Sequence, residues 1–404
     1  MPAISSSLPY LPYVEPNLIP ADTAARFTLD GDGALEARLS RICDSVRLGI
    51  ARVIPARRLE GILLGGGYGR GEGGVLRTAQ GDRPYNDLEF YVLLRGHRVL
   101  NEWRHRQCLE RLAHHLTEEA GIEVEFKILS SATLRSQPVS MFSYDLVQGH
   151  HRVCGGLRLL QGCEHHLRAA DIPLEEATRL LFNRCSGLLF SRQRLDRGAF
   201  TAEDADFVER NLAKARLALG DVVLTATGQY HWSCRERNRR LAELPAPAGL
   251  PHFQAIRDEH SLGAAFKLHP NQPNRSAAEL RADFRNVSQL ACRLWLWVES
   301  RRLSAAYRTP GGYALHAPAK FPSTPPWRNW LVTARHLGWR ELVRPAAFRY
   351  PRERLLRALP VLLWQPVLLG NSRVRHRLQQ DLRTTATDEP GLIAAYTRLW
   401  GVFR

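Results

Sequence analysis

Two short stretches of the chain carry residues that could do chemistry together. The first is a glycine-rich run at residues 65–71, which follows the apolar residues 62–64. The second begins with Asp87 and Glu89 and continues as an apolar segment to residue 94. Side chains alternate faces along a strand, so these two carboxylates point the same way. Because neighbouring acids repel each other, a protein that keeps them side by side usually places a cation between them.

The glycines supply the other half of this chemistry. The backbone at Gly66, Gly67 and Gly69 can approach an anion closely, and N–H groups at the start of a helix attract phosphate. The run lacks the Gly-Lys-Ser/Thr ending of a P-loop. A dinucleotide-binding fold would place an acid at the end of the second strand, whereas Asp87 and Glu89 stand near its start. Metal-binding acids beside a phosphate cradle therefore indicate nucleotide chemistry.

The order of these residues resembles a known signature, carried here by Gly66-Gly67, Arg70-Gly71 and Asp87-Leu88-Glu89. It is that of the DNA polymerase beta nucleotidyltransferase superfamily, in which an apolar strand meets a glycine pair and an acid-x-acid strand follows. The resemblance covers about residues 35–160. Gly67 stands where many members have serine, which removes a hydroxyl from the phosphate site but keeps the backbone donor.

A third acid is expected on a neighbouring strand. Apolar residues at 122–128 alternate with Glu123, Glu125 and Lys127, which predicts a strand with one polar face. The superfamily carries a third carboxylate on such a strand, and Glu125, flanked by apolar residues, matches it better than Glu123. Glu123 lies on the same face and stays open as the alternative.

The resemblance implies a metal-dependent enzyme that moves a nucleoside monophosphate from an NTP such as ATP to a hydroxyl acceptor and releases pyrophosphate. Two Mg²⁺ ions would stabilise the attacking and leaving oxygens. The acceptor is open: a small hydroxyl compound, a protein side chain or an RNA end would fit. The implied catalytic residues and metal ligands are Asp87, Glu89 and Glu125. The implied nucleotide contacts are Gly66, Gly67, Gly69, Arg70, Asn211 and Lys214.

The elements that must position these residues follow from periodicity. Apolar spacing predicts a helix over residues 34–53 and another over 101–119. Strands are expected at 61–64, 86–94 and 122–128, and residues 139–156 should close the sheet. Residues 68–78 are predicted to be a short helix facing a phosphate, and residues 80–84 a turn. The expected fold class is α+β, with a small mixed-sheet nucleotidyltransferase domain and flanking helices.

The rest of the chain reads as mostly helical. Pro173 can begin one helix, and Thr201 with Asp204 forms a capping box for a helix to about residue 225. Asn211 and Lys214 share a face of that helix with Ala218 and Asp221, which is either a solvated edge or a phosphate contact. Further helices are expected at 281–303 and within the apolar run 355–369. The predicted divisions are an irregular arm (1–32), the transferase domain (33–160), a helical domain (171–305) and a helical segment (327–404).

Composition sets wider bounds. The 404-residue chain has a net charge of +16, which admits a nucleic-acid partner, although Lys occurs only at 127, 214, 267 and 320. Seven cysteines without a CxxC pair indicate reduced thiols and a cytoplasmic protein. We expect no signal peptide and no transmembrane segment. The alternative function is a nucleic-acid-binding or nucleotide-sensing protein with a non-catalytic transferase fold.

Overall fold

The computed structural model describes residues 26–270, 275–343 and 345–403. The chain divides into two compact units. The first contains the described residues up to Pro138, together with Phe142–Leu167. The second contains Val139–Met141 and the described residues from Arg168 onward. Residues 1–25 of the predicted arm lie outside the described residues, and residues 26–32 have no regular secondary structure.

The first unit is built on a four-stranded mixed sheet. Its strands are β1 (Leu59–Leu64), β4 (Leu88–Leu94), β5 (Val124–Leu129) and β6 (His151–Gly155), in the spatial order β5-β4-β1-β6. Strands β4 and β5 are parallel, whereas β1 is antiparallel to both β4 and β6. A separate hairpin pairs β2 (Val75–Thr78) with β3 (Gly81–Pro84). The predicted mixed α+β class and the closing strand β6 are confirmed.

Five helices accompany the sheet in the described part of this region. They are α1 (Gly33–Val53), α2 (Gly66–Gly69), α3 (Arg98–Ala120), α4 (Ser131–Ser136) and α5 (Met141–Gln148). Helix α1 buries the predicted apolar stripe, which runs Leu35, Leu39, Ile42, Val46 and Ile50. These side chains join one core with the apolar side chains on one face of β4, so α1 holds that face of the sheet.

The predicted helix over residues 68–78 is wrong. Helix α2 ends at Gly69, and the chain then forms the β2–β3 hairpin, with its turn at residues 79–80. The predicted turn at 80–84 is therefore mostly strand β3. Distant contacts hold the hairpin: Asp32 N–H donates to Asp82 Oδ2 at 2.8 Å, and Asp82 N–H donates to Asp32 Oδ2 at 3.1 Å. Local secondary-structure propensity carries no information about hydrogen bonds between residues fifty positions apart.

The second unit is helical in its described residues. Its helices are α6 (Leu174–Leu195), α7 (Ala202–Ala226), α8 (Cys234–Glu243), α9 (Phe253–Leu268), α10 (Ala277–Arg302), α11 (Pro310–Leu315), α12 (Pro326–Leu337), α13 (Glu353–Trp364), α14 (Ser372–Leu382) and α15 (Glu389–Val402). The capping box of Thr201 and Asp204 is present at the start of α7, as predicted. Helix α13 is buried and continues through Pro360, within the apolar run where helices were expected.

Two other findings bear on the predictions. The seven cysteines all lie among the described residues and form no disulfide. Within the described ranges, no helix is long and apolar enough to cross a membrane.

Candidate functional site

The parallel pairing of β4 and β5 brings the three predicted acids together. Glu89 is in register with Glu125 on the adjacent strand, and Asp87 directly precedes β4. One carboxylate oxygen from each of the three residues lies within 4.8 Å of the other two. Glu123 is exposed and is not part of this cluster. The geometry therefore favours Glu125 over Glu123 as the third acid.

Strand alternation explains why the acids share one open surface. Leu88 and Phe90 point into the core formed with α1 and α3. Glu89 points to the opposite face, where Tyr91 and Leu93 continue along the strand into a smaller apolar cluster. The acids stand where that cluster ends, half-buried at Glu89 and Glu125 and exposed at Asp87. The carboxylates are thus held by a rigid strand but stay open to a ligand.

Lys127 lies within the acid cluster and was missed as a site residue. Its Nζ is 2.6 Å from Glu89 Oε1 and 3.1 Å from Glu125 Oε2. Partial burial by itself lowers the pKa of Lys127. The hydrogen bond to Glu89 and the charge of Glu89 outweigh that effect, with a smaller contribution from the hydrogen bond to Glu125, so the pKa of Lys127 lies above its ordinary value. The ammonium therefore stays charged and offsets part of the acids' repulsion.

The signal for Lys127 was present in the sequence. Lys127 follows Glu125 by two positions, so strand alternation places both on one face. Its side chain also lies over the ring of Tyr91, with Nζ 5.7 Å from the ring centroid. Lysine is scarce in this chain, which made it more informative at this position than any arginine.

The glycine turn lies directly against the acids. Gly65 N–H donates to Glu89 O at 2.9 Å, which ties the turn to β4. Gly66 has a φ of 62°, and a Cβ there would come within 3.1 Å of Glu89 Oε2. Glycine is needed at this position because the backbone is left-handed and the carboxylate is close. An anion bound at the turn would therefore sit beside a carboxylate of the acid cluster.

Close packing is enough to explain why residues 67 and 69 are glycines, without any ligand. Gly69 N–H donates to Gly65 O at 2.9 Å, so this amide already makes a hydrogen bond within the turn. A Cβ on Gly69 would lie 2.0 Å from Leu64 O, and one on Gly67 would lie 3.0 Å from Glu72 O. Glu72 itself is buried.

Tyr68 connects the glycine turn to the segment before the acids. It is buried, and its hydroxyl donates to Gly74 O at 2.8 Å and accepts from Tyr85 N–H at 2.9 Å. Burial raises the pKa of Tyr68 to about 12, so the hydroxyl keeps its proton and can donate. Tyr85 stands two residues before Asp87, and Tyr68 therefore positions the start of the acid-bearing strand. No sequence pattern indicated this role.

Arg70 is held close to the turn by Asp145 of α5. The guanidinium Nη2 is 3.3 Å from Asp145 Oδ2, and both side chains are largely buried. Arg70 was predicted to offset charge on a triphosphate. In this structure its charge is shared with Asp145, so a triphosphate would have to compete for it.

Asn211 and Lys214 belong to the second unit, on α7. Asn211 Nδ2 donates to Phe207 O at 2.8 Å, while Lys214 is exposed. The face they were predicted to share is not a uniform solvated edge, because Ala218 and Asp221 are buried. Asp221 Oδ1 is 2.7 Å from Arg237 Nε, in an ion pair inside the helical unit.

No protein-family model matches the sequence, and no curated protein shows significant similarity to it. The site must therefore be interpreted from its own residues. Among the described residues, the group found with metal-ligand geometry is the cluster of Asp87, Glu89 and Glu125. His150, His151 and Cys154 are not part of it.

Proposed function

We propose that the chain is a metal-dependent nucleotidyltransferase of the DNA polymerase beta type. It would transfer a nucleoside monophosphate from an NTP to a hydroxyl acceptor and release pyrophosphate. The observation that carries the proposal is the contact between the glycine turn at Gly66 and an acid cluster formed by Asp87, Glu89 and Glu125. A phosphate cradle and a set of hard oxygen ligands are adjacent, as nucleotide chemistry requires.

The donor set fits Mg²⁺. Three carboxylates offer the oxygen ligands that this ion prefers, and Asp87 and Glu89 can hold it from one side. When bound, Mg²⁺ would offset charge on the triphosphate and on the leaving pyrophosphate. The backbone at Gly66 and Gly67 would then orient the phosphates beside these acids.

Glu125 is the proposed base. The acceptor hydroxyl oxygen forms a bond to the α-phosphorus while the bond from that phosphorus to the α–β bridging oxygen breaks, so pyrophosphate leaves. The hydroxyl proton passes to a Glu125 carboxylate oxygen. Glu125 is suited to this because it is partly exposed and is paired in register with Glu89 on the adjacent strand, within the acid cluster.

Lys127 favours a second candidate function. An ammonium that already bridges Glu89 and Glu125 partly neutralises the cluster without any metal. The same site could then belong to a nucleotide sensor or a nucleic-acid-binding protein, which binds its ligand but transfers no group. The two candidates differ in whether the acids are needed for pyrophosphate release.

The test separates binding from transfer. Purified full-length protein is incubated with each α-³²P-labelled NTP, Mg²⁺ and candidate acceptors: hydroxyl compounds, protein and RNA. Pyrophosphate release and label transfer are measured for the wild type, Asp87→Asn and Glu125→Gln. We expect at least a hundredfold loss of rate in both variants, because each removes a group that acts in the transition state.

Glu123→Gln is the matched control, since Glu123 lies on the same strand face but outside the cluster. It should keep the wild-type rate. Binding of a non-hydrolysable NTP analogue to the protein, measured while Mg²⁺ is titrated, gives a readout that needs no acceptor. Nucleotide binding that is unchanged in Asp87→Asn, with no pyrophosphate from any protein, would establish the sensor function and refute the transferase.

A further inference from the structure

Helix α12 buries a mainly polar side and turns an apolar side outward. Asn329 and Thr333 are buried. Asn329 Nδ2 donates to Thr324 Oγ1 at 2.9 Å and to Phe348 O at 3.0 Å, and Thr333 Oγ1 donates to Ala347 O at 3.3 Å. These bonds fix the rotation of the helix, because turning its apolar side inward would leave buried polar groups unpaired.

The outward side of α12 and the segment that follows it carry several large exposed apolar side chains. Trp327 and Leu331 are one helical turn apart and are 63% and 51% exposed. Beyond the end of α12, Trp339 is 74% exposed and Val343 is 86% exposed. Trp330 joins the two parts, since its ring lies edge-on to that of Trp339 with centroids 6.2 Å apart. Single exposed apolar residues are ordinary, but a cluster of this kind marks a binding surface.

We call Trp327, Leu331, Trp339 and Val343 the tryptophan surface, and the exposed arginines Arg328, Arg335 and Arg340 lie on the same stretch of chain. Residues 322–352 contain six arginines and a single acid, Glu341. That acid is buried and lies 3.3 Å from Arg354, so it does not offset the exposed arginines. The outward side of α12 itself carries the exposed Arg328 and Arg335 between its apolar residues.

We propose that the tryptophan surface docks onto the surface of an anionic lipid bilayer. Tryptophan rings settle at the level of the lipid headgroups, and arginines beside them pair with lipid phosphates. Leu331 and Val343 would enter the boundary of the acyl chains, as the apolar side of an interfacial helix does. The helix would lie on the bilayer, not across it.

The exposed aliphatic residues decide between lipid and nucleic acid. A single-stranded nucleic acid offers stacking partners for Trp327 and phosphates for Arg328. It offers no apolar phase for Leu331 or Val343, whereas a bilayer does. The combination of tryptophan, aliphatic and arginine side chains on one surface therefore favours a bilayer.

The experiment uses full-length protein and vesicles of phosphatidylcholine with or without phosphatidylserine. Sedimentation should show binding to the anionic vesicles, weakened by salt, and much weaker binding to the neutral ones. Because each arginine at an anionic surface contributes about a fivefold gain in binding, Arg328→Gln with Arg335→Gln should weaken it about twenty-five-fold. Leu331→Glu should weaken it by roughly tenfold or more, since it adds repulsion and removes apolar contact.

Trp103→Ala is the matched control. Trp103 is an 81% exposed tryptophan on α3, in the other unit and outside the tryptophan surface. Vesicle binding by this variant should equal that of the wild type. Thermal melts verify folding, and Trp327→Ala takes the place of Leu331→Glu if the latter is unfolded.

Three outcomes would overturn the proposal. The first is equal vesicle binding by the wild type and the folded variants, which would assign any attachment to the overall charge of +16. The second is binding of single-stranded RNA that depends on Leu331 while vesicles are ignored. The third is self-association that Leu331→Glu abolishes, without vesicle binding, which would make the occupant a second copy of the chain.

Discussion

Replacing Lys127 with methionine should tighten divalent-metal binding at the acid cluster. The lysine ammonium lies 2.6 Å from Glu89 and 3.1 Å from Glu125, so it shares the oxygens that a metal would use. Methionine has a similar length and no charge. Its introduction leaves the three carboxylates without an internal cation, and it also removes the repulsion between the ammonium and an incoming ion.

The size of the effect follows from the charges and their exposure. A single and a double charge about 5 Å apart repel by about 1.7 kcal/mol in water. The Lys127 and Glu125 side chains are 41% and 39% exposed, so this solvent-screened value is appropriate and the larger figure for a dry site is not. Lys127→Met should therefore bind Mg²⁺ or Mn²⁺ about fifteenfold more tightly.

Isothermal titration with Mg²⁺, and Mn²⁺ binding followed by electron paramagnetic resonance, would measure the change without nucleotide. Lys127→Arg keeps the charge and should bind metal as the wild type does. Lys267→Met removes a lysine in the other unit and should have no effect. If Lys127→Met binds metal no more tightly than the wild type, the ammonium does not compete for these oxygens and the reasoning fails.

Two further predictions concern stability. Gly66→Ala should destabilise the protein by about 1–2 kcal/mol in urea unfolding, because its φ is 62°, whereas Gly69→Ala should yield no folded protein, since its Cβ would lie 2.0 Å from Leu64 O. Equal stability of the two variants would contradict this. Burial lowers the pKa of Lys320 to about 7, so between about pH 7 and 10 the unfolded chain holds a proton that the folded chain lacks. Stability should rise with pH across that window, and Lys320→Met, compared with the wild type by chemical unfolding, should flatten the rise; parallel pH profiles would refute it.

Features set by local sequence were predictable. The stripe of α1 and the capping box of α7 each depend on residues three or four positions apart, which one helix brings together by itself. The convergence of Asp87, Glu89 and Glu125 was also anticipated. Strand alternation places the first two on one face and also predicts the strand that carries Glu125. The superfamily resemblance, not the sequence pattern, supplied the expectation that this strand lies beside the first.

Features set by distant contacts were not predictable. The β2–β3 hairpin stands where a helix was expected, because Asp82 is bonded to Asp32 across fifty positions. On α7 the spacing of Lys214 and Asp221 indicated one shared face, but packing against α8 and α9 buries Asp221 and leaves Lys214 exposed. Periodicity fixes which residues share a side of a helix, whereas neighbouring elements decide how far along its length that side is covered.

The charges of the acid cluster constrain how metal and nucleotide would bind. Three carboxylates and the Lys127 ammonium leave two net negative charges, which one Mg²⁺ cancels. A second Mg²⁺ would leave the cluster positive, and Lys127 would have to leave Glu125 to admit it. The negative charge of a triphosphate removes both obstacles, since it neutralises the second ion and offers the ammonium another partner. If two ions act here, the first can bind alone, and the second should bind only together with the nucleotide.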